Sequence, residues 1–297
     1  MFEMQYNGNM KSIEKKIKTI RLLMLIAVII ITALSALFIA DIVVEINVRY
    51  VPEHEKIDLG IYQGLRADAL SEKDFEVLFW QTGLGRDAVN RIFESAGNPI
   101  SVLQKHQRHF FNPPALKCRR IGIVTGEERF QDEHGNYASG FSIVDIRNGD
   151  IFITKSTHTV GWRHGHAGLV VDADNRKTVE AVFMGRPSAI QHVSHWQTYP
   201  TFIQLRPKNR EIGEHAAIFA RENLVGITYN LFAGLFPRFT DEVRTTQCAH
   251  LPWFAYMQFG YDISPSGIWP VTPRDITRSE YLEVVQIFGF HPGRLWR

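Results

Sequence analysis

An uncharged apolar run near the N-terminus constrains this chain most, because it predicts a segment that crosses a membrane. The run extends from Leu22 to Ala40 and has only Thr32 and Ser35 as polar side chains. About 20 apolar residues are enough to span the hydrocarbon core of a bilayer as a helix. The run is apolar on every face, which argues against a helix buried in a soluble core. We therefore expect a transmembrane anchor over residues 22–40.

The charges on either side of the run predict its orientation. The preceding basic residues are Lys11, Lys15, Lys16, Lys18 and Arg21. The following stretch carries Asp41, Glu45, Glu53, Glu55 and Asp58 against Arg49 and Lys56. Because basic flanks stay in the cytoplasm, residues 1–21 are expected to be a cytoplasmic tail. The rest of a single-pass chain would then lie outside the cell membrane, in a bacterium within the cell envelope.

A cleaved signal peptide is the alternative interpretation of this segment. Ala33-Leu34-Ser35 offers small residues at roughly the spacing of a cleavage site. The apolar run continues past that point to Ala40, which is longer than a typical signal core. This length favours the anchor.

Composition excludes several classes of function. The chain has 297 residues, of which 45% are hydrophobic and 22% charged, as expected of a folded globular protein. Its 33 basic and 31 acidic residues leave a net charge of +2, which gives no field for binding nucleic acid. Two cysteines, Cys118 and Cys248, cannot form a disulfide framework. No nucleic-acid partner, structural disulfide or cofactor is expected.

Residues 51–112 are predicted to form a small helical module. Ser71 to Asp74 resembles a capping box, and apolar residues follow it at helical spacing. Gly83 and Gly85 are expected to end this helix before a second from about Arg86 to Ser95, and Asn98-Pro99 precedes a third. Nothing in this module indicates chemistry.

The pattern changes towards strands from about residue 119. Strands are predicted at Ile121 to Val124, Gly149 to Thr154 and Thr201 to Arg206. The clearest hairpin joins His166–Val171 to Thr178–Phe183 through the turn-forming run Asp172 to Arg176. Helical patterns return after Pro207, and the segment that follows Cys248 is the last strong helix. These elements predict an α+β domain over residues 119–297.

Three residues are candidates for nucleophilic catalysis. Cys248 follows a short polar stretch and precedes an apolar helical run, and a helix N-terminus favours the reactive thiolate. His166 is a candidate base, and Glu180 would lie opposite or diagonal to it on the next strand. Glu180 also stands in an apolar run, where an unpaired carboxylate would be costly. A hydrogen-bonded structural histidine and a solvent-facing glutamate remain the alternatives.

The number of histidines leaves a zinc site open as a second hypothesis. His164 and His166 are two apart in a predicted strand, so they would share one face and His164 would be a competing base. Further histidines nearby in the sequence include His158, His192, His195 and His250. No HExxH or CxxC spacing accompanies them, so the sequence predicts no metal.

Four motifs in the second half of the chain occur in the order found in a known family. They are the GDI strand at Gly149, HAGLVV at His166, VEA around Glu180 and the TQCAHLPWFAY segment around Cys248. This arrangement resembles the YiiX-like and YebB-like proteins, which are circularly permuted papain-like cysteine hydrolases of the NlpC superfamily. The terminal stretch Ile268–Ser279 is also similar to the family's usual ending.

The resemblance implies a fold and a reaction. The fold would be a permuted papain-like domain with a central antiparallel sheet and packed helices, placed after the transmembrane helix and the helical module. Cys248, His166 and Glu180 would form a catalytic triad, and Tyr229, in a stretch similar to the family's G-x-P-Y-N, would line the substrate site. Backbone N–H groups at the start of the cysteine helix would hold the oxyanion.

The expected substrate is an amide, as a peptide or isopeptide bond in cell-wall peptides. The alternatives are a thioester acyltransferase that uses the same triad and an inactive envelope-binding module. For the acyltransferase, the loop residues Leu231, Phe232, Leu235, Phe236 and Phe239 would line an apolar groove or else pack over the core. Ala249-His250 and Pro252 depart from the family pattern, and Pro252 would disturb a helix that begins at Cys248.

Overall fold

The structure is a computed structural model that describes residues 2–46, 48–122, 125–235, 242–267 and 269–296. Its first element is the long helix α1 (Phe2–Ile46). The part from Lys15 to Ala40 is long and apolar enough to cross a membrane, and none of its most apolar window is buried against the rest of the protein. This helix contains the whole predicted anchor.

Three helices then form the predicted module: α2 (Glu72–Thr82), α3 (Arg86–Ser95) and α4 (Pro99–Phe111). The capping box is confirmed, since Ser71 and Asp74 bond each other's backbone N–H groups. Gly83 ends α2 in the left-handed conformation, with φ of 73°. Together with two 3₁₀ turns, the helices bury an apolar cluster of their own that also includes Val285.

The rest of the described chain is mostly strands, with three further helices. In chain order the elements are β1 (Leu116–Arg120), β2 (Thr125–Phe130), β3 (Ile151–Thr154), β4 (Thr157–Thr159), β5 (His166–Asp172), β6 (Lys177–Glu180), β7 (Ala189–His192), β8 (Phe202–Pro207), α5 (Arg210–Asn223), β9 (Thr228–Tyr229), β10 (Thr245–Thr246), α6 (His250–Met257), α7 (Pro273–Ile276) and β11 (Leu282–Phe288).

Six of these strands form the central sheet, in the order β11-β8-β3-β5-β6-β7, and all neighbours are antiparallel. Helices α5 and α6 pack against each other and against β5. A smaller antiparallel sheet has the order β1-β2-β4, and β9 pairs with β10 in parallel. The protein is therefore an α+β fold with antiparallel main sheets and an N-terminal apolar helix. Its assignment to the permuted papain-like fold stays a prediction.

The helical module and the central sheet meet at β11. Gly85 N–H donates to Val285 O at 2.8 Å, and Ile287 N–H donates to Gly83 O at 2.7 Å. A Cβ at Gly85 would lie 2.0 Å from Val284 O, so only glycine lets the two backbones pass this closely. The glycines that break the helices therefore also allow the module to contact the sheet.

Several predicted strand boundaries are wrong. The strand containing Glu180 was expected to reach Phe183 but ends at Glu180, where the last pair with β7 is formed. Ile121 lies in a bend after β1, and residues 123–124 lie outside the described part of the chain. Strand structure begins at Leu116, shortly before the predicted domain start at residue 119. The β1 sequence LKCRR is too polar to have indicated a strand by its hydrophobic pattern.

Candidate functional site

The hairpin of β5 and β6 brings His166 and Glu180 into contact. Leu169 pairs with Val179, and continuing this antiparallel register places Glu180 opposite Gly168 and diagonal to His166. His166 Nε2 lies 2.7 Å from Glu180 Oε2. Only 5% of His166 and 1% of Glu180 are exposed, so solvent screens this hydrogen bond little.

The Glu180 carboxylate is satisfied by four donor side chains. Besides His166, it accepts from His195 Nε2 at 3.2 Å, Trp196 Nε1 at 2.9 Å and Thr178 Oγ1 at 2.5 Å. Burial alone would raise the pKa of Glu180, but the His195 and His166 rings hold this pKa well below its usual range. Glu180 is thus an ionised, fully paired buried carboxylate, which explains its place in an apolar run.

Trp196 and Gly168 hold the two residues in this position. The Trp196 ring stacks on the His166 ring, with centroids 5.3 Å apart and planes 11° apart. A Cβ at Gly168 would lie 2.8 Å from Cζ2 of Trp196 and 2.9 Å from Cγ of Glu180. Sequence reasoning missed the roles of His195, Trp196 and Gly168. Since Trp196 and His195 lie in a 3₁₀ turn after β7, no local pattern links them to Glu180.

Cys248 lies between β10 and α6. Leu251 N–H donates to Gln247 O at 3.0 Å, so the chain makes a helical turn directly after the cysteine. Gln247 is buried; its amide donates to Val271 O at 2.6 Å and accepts from Ala249 N–H at 2.8 Å. These bonds fix the backbone on both sides of the Cys248 thiol.

Pro252 interrupts the backbone hydrogen bonds next to Cys248. Leu251 N–H donates to Gln247 O and Trp253 N–H to Ala249 O, so the helical turn starts before the cysteine. Pro252 lies between these donors and has no N–H to bond Cys248 O. The chain continues as α6 from His250 to Met257, so the proline deletes one bond without ending the helix.

Cys248 lies beside the His166 ring, and its thiol donates to Gln247 Oε1 at 3.5 Å. Burial opposes the charged form of His166, yet the neighbouring Cys248 and Glu180 raise the pKa of His166 to about 10. Glu180 takes Nε2, so Nδ1 is the ring nitrogen that remains for a second partner.

Tyr229 lies beside this group. Its strand β9 pairs with β10, so that Tyr229 is the partner of Thr246, just before the cysteine. Burial and the nearby Cys248 raise the pKa of Tyr229 above its usual value, which keeps its hydroxyl neutral. The structure thus puts His166 in contact with Glu180 and places Cys248 and Tyr229 nearby, and the catalytic roles of these four residues stay predictions.

His164 is not placed as strand alternation predicted. Strand β5 begins at His166, and Gly165 between the two histidines has φ of 71°, so the two-residue period does not apply. His164 Nε2 instead lies 3.1 Å from Thr159 Oγ1. The competing-base hypothesis for His164 has no support in this geometry.

The histidines do not converge on one zinc site. His250 Nδ1 bonds Thr246 Oγ1, and His192 Nδ1 bonds Ser194 Oγ. Within the described ranges, the group of potential metal ligands is a different one: Cys118, Glu128 and His158. Neither cysteine forms a disulfide.

The second cluster has the composition of a Cys–His–Glu triad but a different geometry. His158 Nε2 lies 3.7 Å from Cys118 Sγ and 3.5 Å from Glu128 Oε1. The same ring nitrogen therefore faces both partners. A catalytic histidine uses one nitrogen for the nucleophile and the other for the orienting carboxylate.

Apolar side chains are exposed in the two loops that leave Glu180 and Tyr229. They are Val182, Phe183 and Met184 in the first loop and Leu231 and Phe232 in the second. Phe232 is 61% exposed, so the expectation that this loop packs over the core is wrong for Leu231 and Phe232. Phe236 and Phe239 lie outside the described residues.

Comparisons with protein-family models, with curated proteins and with solved structures found no match to this chain. The resemblance to YiiX-like proteins therefore stays a prediction.

Proposed function

We propose that the protein is a membrane-anchored cysteine hydrolase that cleaves an amide bond. The observation that carries this proposal is the position of His166, whose ring lies 2.7 Å from the buried Glu180 carboxylate and near enough to Cys248 for the cysteine to raise the pKa of the histidine. A thiol nucleophile needs a base to accept its proton, and the base needs a partner that fixes its orientation. The three side chains meet these requirements.

In this mechanism His166 takes the proton of Cys248, and the sulfur attacks the carbonyl carbon of the substrate. Glu180 stabilises the imidazolium that results. The protonated His166 then donates to the leaving amine as the C–N bond breaks, which leaves an acyl thioester on Cys248. Water, deprotonated by His166, releases the acid and restores the thiol.

The oxyanion of the tetrahedral intermediate needs N–H donors. Ala249 N–H is already bonded to Gln247 Oε1 at 2.8 Å. Cys248 N–H has no acceptor among the described residues, so it is the donor we assign to the oxyanion. Tyr229, with a neutral hydroxyl beside the thiol, would supply a second donor to the substrate.

The substrate and location follow from the family resemblance and the charge pattern. A single anchor with basic residues before it would place residues 48–297 in the cell envelope. Peptide or isopeptide bonds of cell-wall peptides are the amides available there. We therefore assign these bonds as the substrate class.

Acyl transfer to or from a lipid is the second candidate, and the exposed apolar loops favour it. Val182, Phe183 and Phe232 lie on loops that begin next to Glu180 and Tyr229. The turn before His166 also contacts the end of the apolar helix, since a Cβ at Gly161 would lie 3.0 Å from Cβ of Ala40. A lipid acyl chain would then reach Cys248 from the bilayer.

Two measurements on the full chain test this proposal. In the first, mass spectrometry follows alkylation of Cys248 by iodoacetamide at neutral pH. We expect His166→Ala to slow the reaction by about tenfold or more, because an adjacent imidazolium favours the reactive thiolate. His192→Ala is the matched control, since His192 is exposed at the end of the neighbouring strand β7 and bonds Ser194. Equal rates in all three proteins would refute the pairing of Cys248 with His166.

In the second measurement, wild type and Cys248→Ala are incubated with a muropeptide digest and, separately, with a pool of lipid esters. Products that only the wild type makes from muropeptides support the hydrolase. Products that only the wild type makes from lipid esters favour acyl transfer. If wild type and Cys248→Ala behave alike in both pools, the enzymatic function is wrong.

A further inference from the structure

Cys118, Glu128 and His158 lie on one face of the small sheet. Cys118 of β1 is directly opposite Glu128 of β2, and Gly126 of β2 is opposite His158 of β4. Since residues two apart on a strand share a face, the three side chains point to the same side. Glu128 and His158 are fully buried, and Cys118 is partly exposed.

The three ligand atoms are spaced like the corners of a zinc site. Zinc binds thiolate sulfur at about 2.3 Å and imidazole nitrogen at about 2.0–2.1 Å, so tetrahedral ligands stand about 3.6 Å apart for S and N and about 3.4 Å for N and O. The observed distances are 3.7 Å from Cys118 Sγ to His158 Nε2 and 3.5 Å from His158 Nε2 to Glu128 Oε1. All three atoms lie within 4.8 Å of one another.

From this geometry we propose that Cys118, Glu128 and His158 bind a Zn²⁺ ion, with water as the fourth ligand. The same nitrogen of His158 faces both other ligands, which a metal ion between the three would require and a proton relay would not. The thiolate and the carboxylate together balance the charge of the ion. This site is independent of the chemistry at Cys248.

Gly126 and Arg163 fit this assignment. A Cβ at residue 126 would lie 2.5 Å from His158 Nε2 and 3.0 Å from Cys118 Sγ, so glycine keeps the space beside the ligands clear. Arg163 donates to Glu128 Oε1 at 2.7 Å and to Oε2 at 3.0 Å. A carboxylate oxygen has two lone pairs, so Oε1 can accept from Arg163 and still bind the metal. Hydrogen-bonded carboxylate ligands of this kind are usual in metal sites.

The ion would join the three strands of the small sheet at the place where the sheet meets the membrane helix. β4 contacts α1, and the turn after β4 contains Gly161, which lies against Ala40. Because each strand supplies one ligand, loss of the ion would loosen β1, β2 and β4 together. We therefore expect zinc to raise the thermal unfolding temperature of the protein.

The test uses the full chain, purified in detergent without chelators and dialysed against a small excess of zinc. The number of zinc ions bound per chain is measured by inductively coupled plasma mass spectrometry. Wild type is expected to hold about one ion, and Cys118→Ser and His158→Gln to lose most of it. Cys248→Ala and His166→Ala are the matched controls at the other cysteine–histidine pair and should keep the ion.

A second readout does not depend on any variant. Cobalt that replaces zinc at a thiolate ligand gives a sulfur-to-metal charge-transfer absorption, which we expect in the wild-type protein. Wild type without stoichiometric zinc and without this absorption would overturn the site. So would zinc that Cys118→Ser retains and Cys248→Ala loses, because the ion would then belong to the Cys248 pair.

Discussion

Gly168 is the position where the fold most directly controls the contact between His166 and Glu180. It lies opposite Glu180 in the extended register of β5 and β6, and the Trp196 ring covers it. A methyl group in Gly168→Ala would meet Cζ2 of Trp196 at 2.8 Å and Cγ of Glu180 at 2.9 Å. Both neighbours are buried, so they have no free space into which to move.

The cost of this change can be estimated from overpacking in other cores. An extra methylene in a well-packed interior costs about 1–3 kcal/mol. Each kcal/mol lowers the melting temperature by roughly 2–4 °C for a domain of this size. Displacing the carboxylate also lengthens its 2.7 Å bond to His166, so alkylation of Cys248 should slow several-fold.

The assay combines thermal unfolding of the full chain in detergent with the rate of Cys248 alkylation. Gly97→Ala is the matched control, because a Cβ there meets nothing within 4 Å. We expect the control to stay within about 0.5 kcal/mol of wild type. If Gly168→Ala melts and reacts like wild type, the proposed link between strand packing and the His166–Glu180 contact is refuted.

Two further predictions concern buried charges. The pKa of His166 is raised from 6.5 to about 10, so the stability that charged His166 adds is complete below pH 6.5 and is lost as pH rises through 10. The pKa of Glu180 is lowered from 4.5, so the stability that ionised Glu180 adds is lost as pH falls below 4.5. The difference in unfolding free energy between wild type and Glu180→Gln in urea should therefore be largest between pH 4.5 and 6.5, and a pH-independent difference would contradict the pairing. Asp150→Ala should cost about 3–5 kcal/mol in the same measurement, because it removes the buried carboxylate that Arg206 bonds at 2.7 and 2.9 Å. The exposed Asp174→Ala is its control, and equal losses in the two variants would show that burial does not set the cost.

Local features of the sequence were enough to predict much of the fold. Four predicted features depend only on residues that are close in the chain: the apolar run over residues 22–40, the capping box at Ser71, the turn from Asp172 to Arg176 and the hairpin around that turn. Each is present in the structure. The diagonal placement of His166 and Glu180 followed from the same hairpin, because register alone determines which strand residues meet.

Other errors came from elements whose partners are distant in sequence. Strand β11 was not predicted, and it is held by β8 on one side and by Gly83 and Gly85 of the helical module on the other. The predicted position of His164 was wrong because Gly165 leaves the strand conformation with φ of 71°, at a place where a Cβ would lie 2.3 Å from Thr154 O. Neither effect has a signature in the local pattern.

The sequence by itself determined the apolar helix, the three helices of the module, the hairpin of β5 and β6, and the identities of Cys248, His166 and Glu180 as candidates, because these depend on composition and short-range spacing. Only the tertiary structure decided which groups meet. It placed His195 and Trp196 on Glu180, and it brought Cys118, Glu128 and His158 from three strands to one point. The physical reason is that strand pairing and packing join residues far apart in the chain, and no local pattern records those contacts.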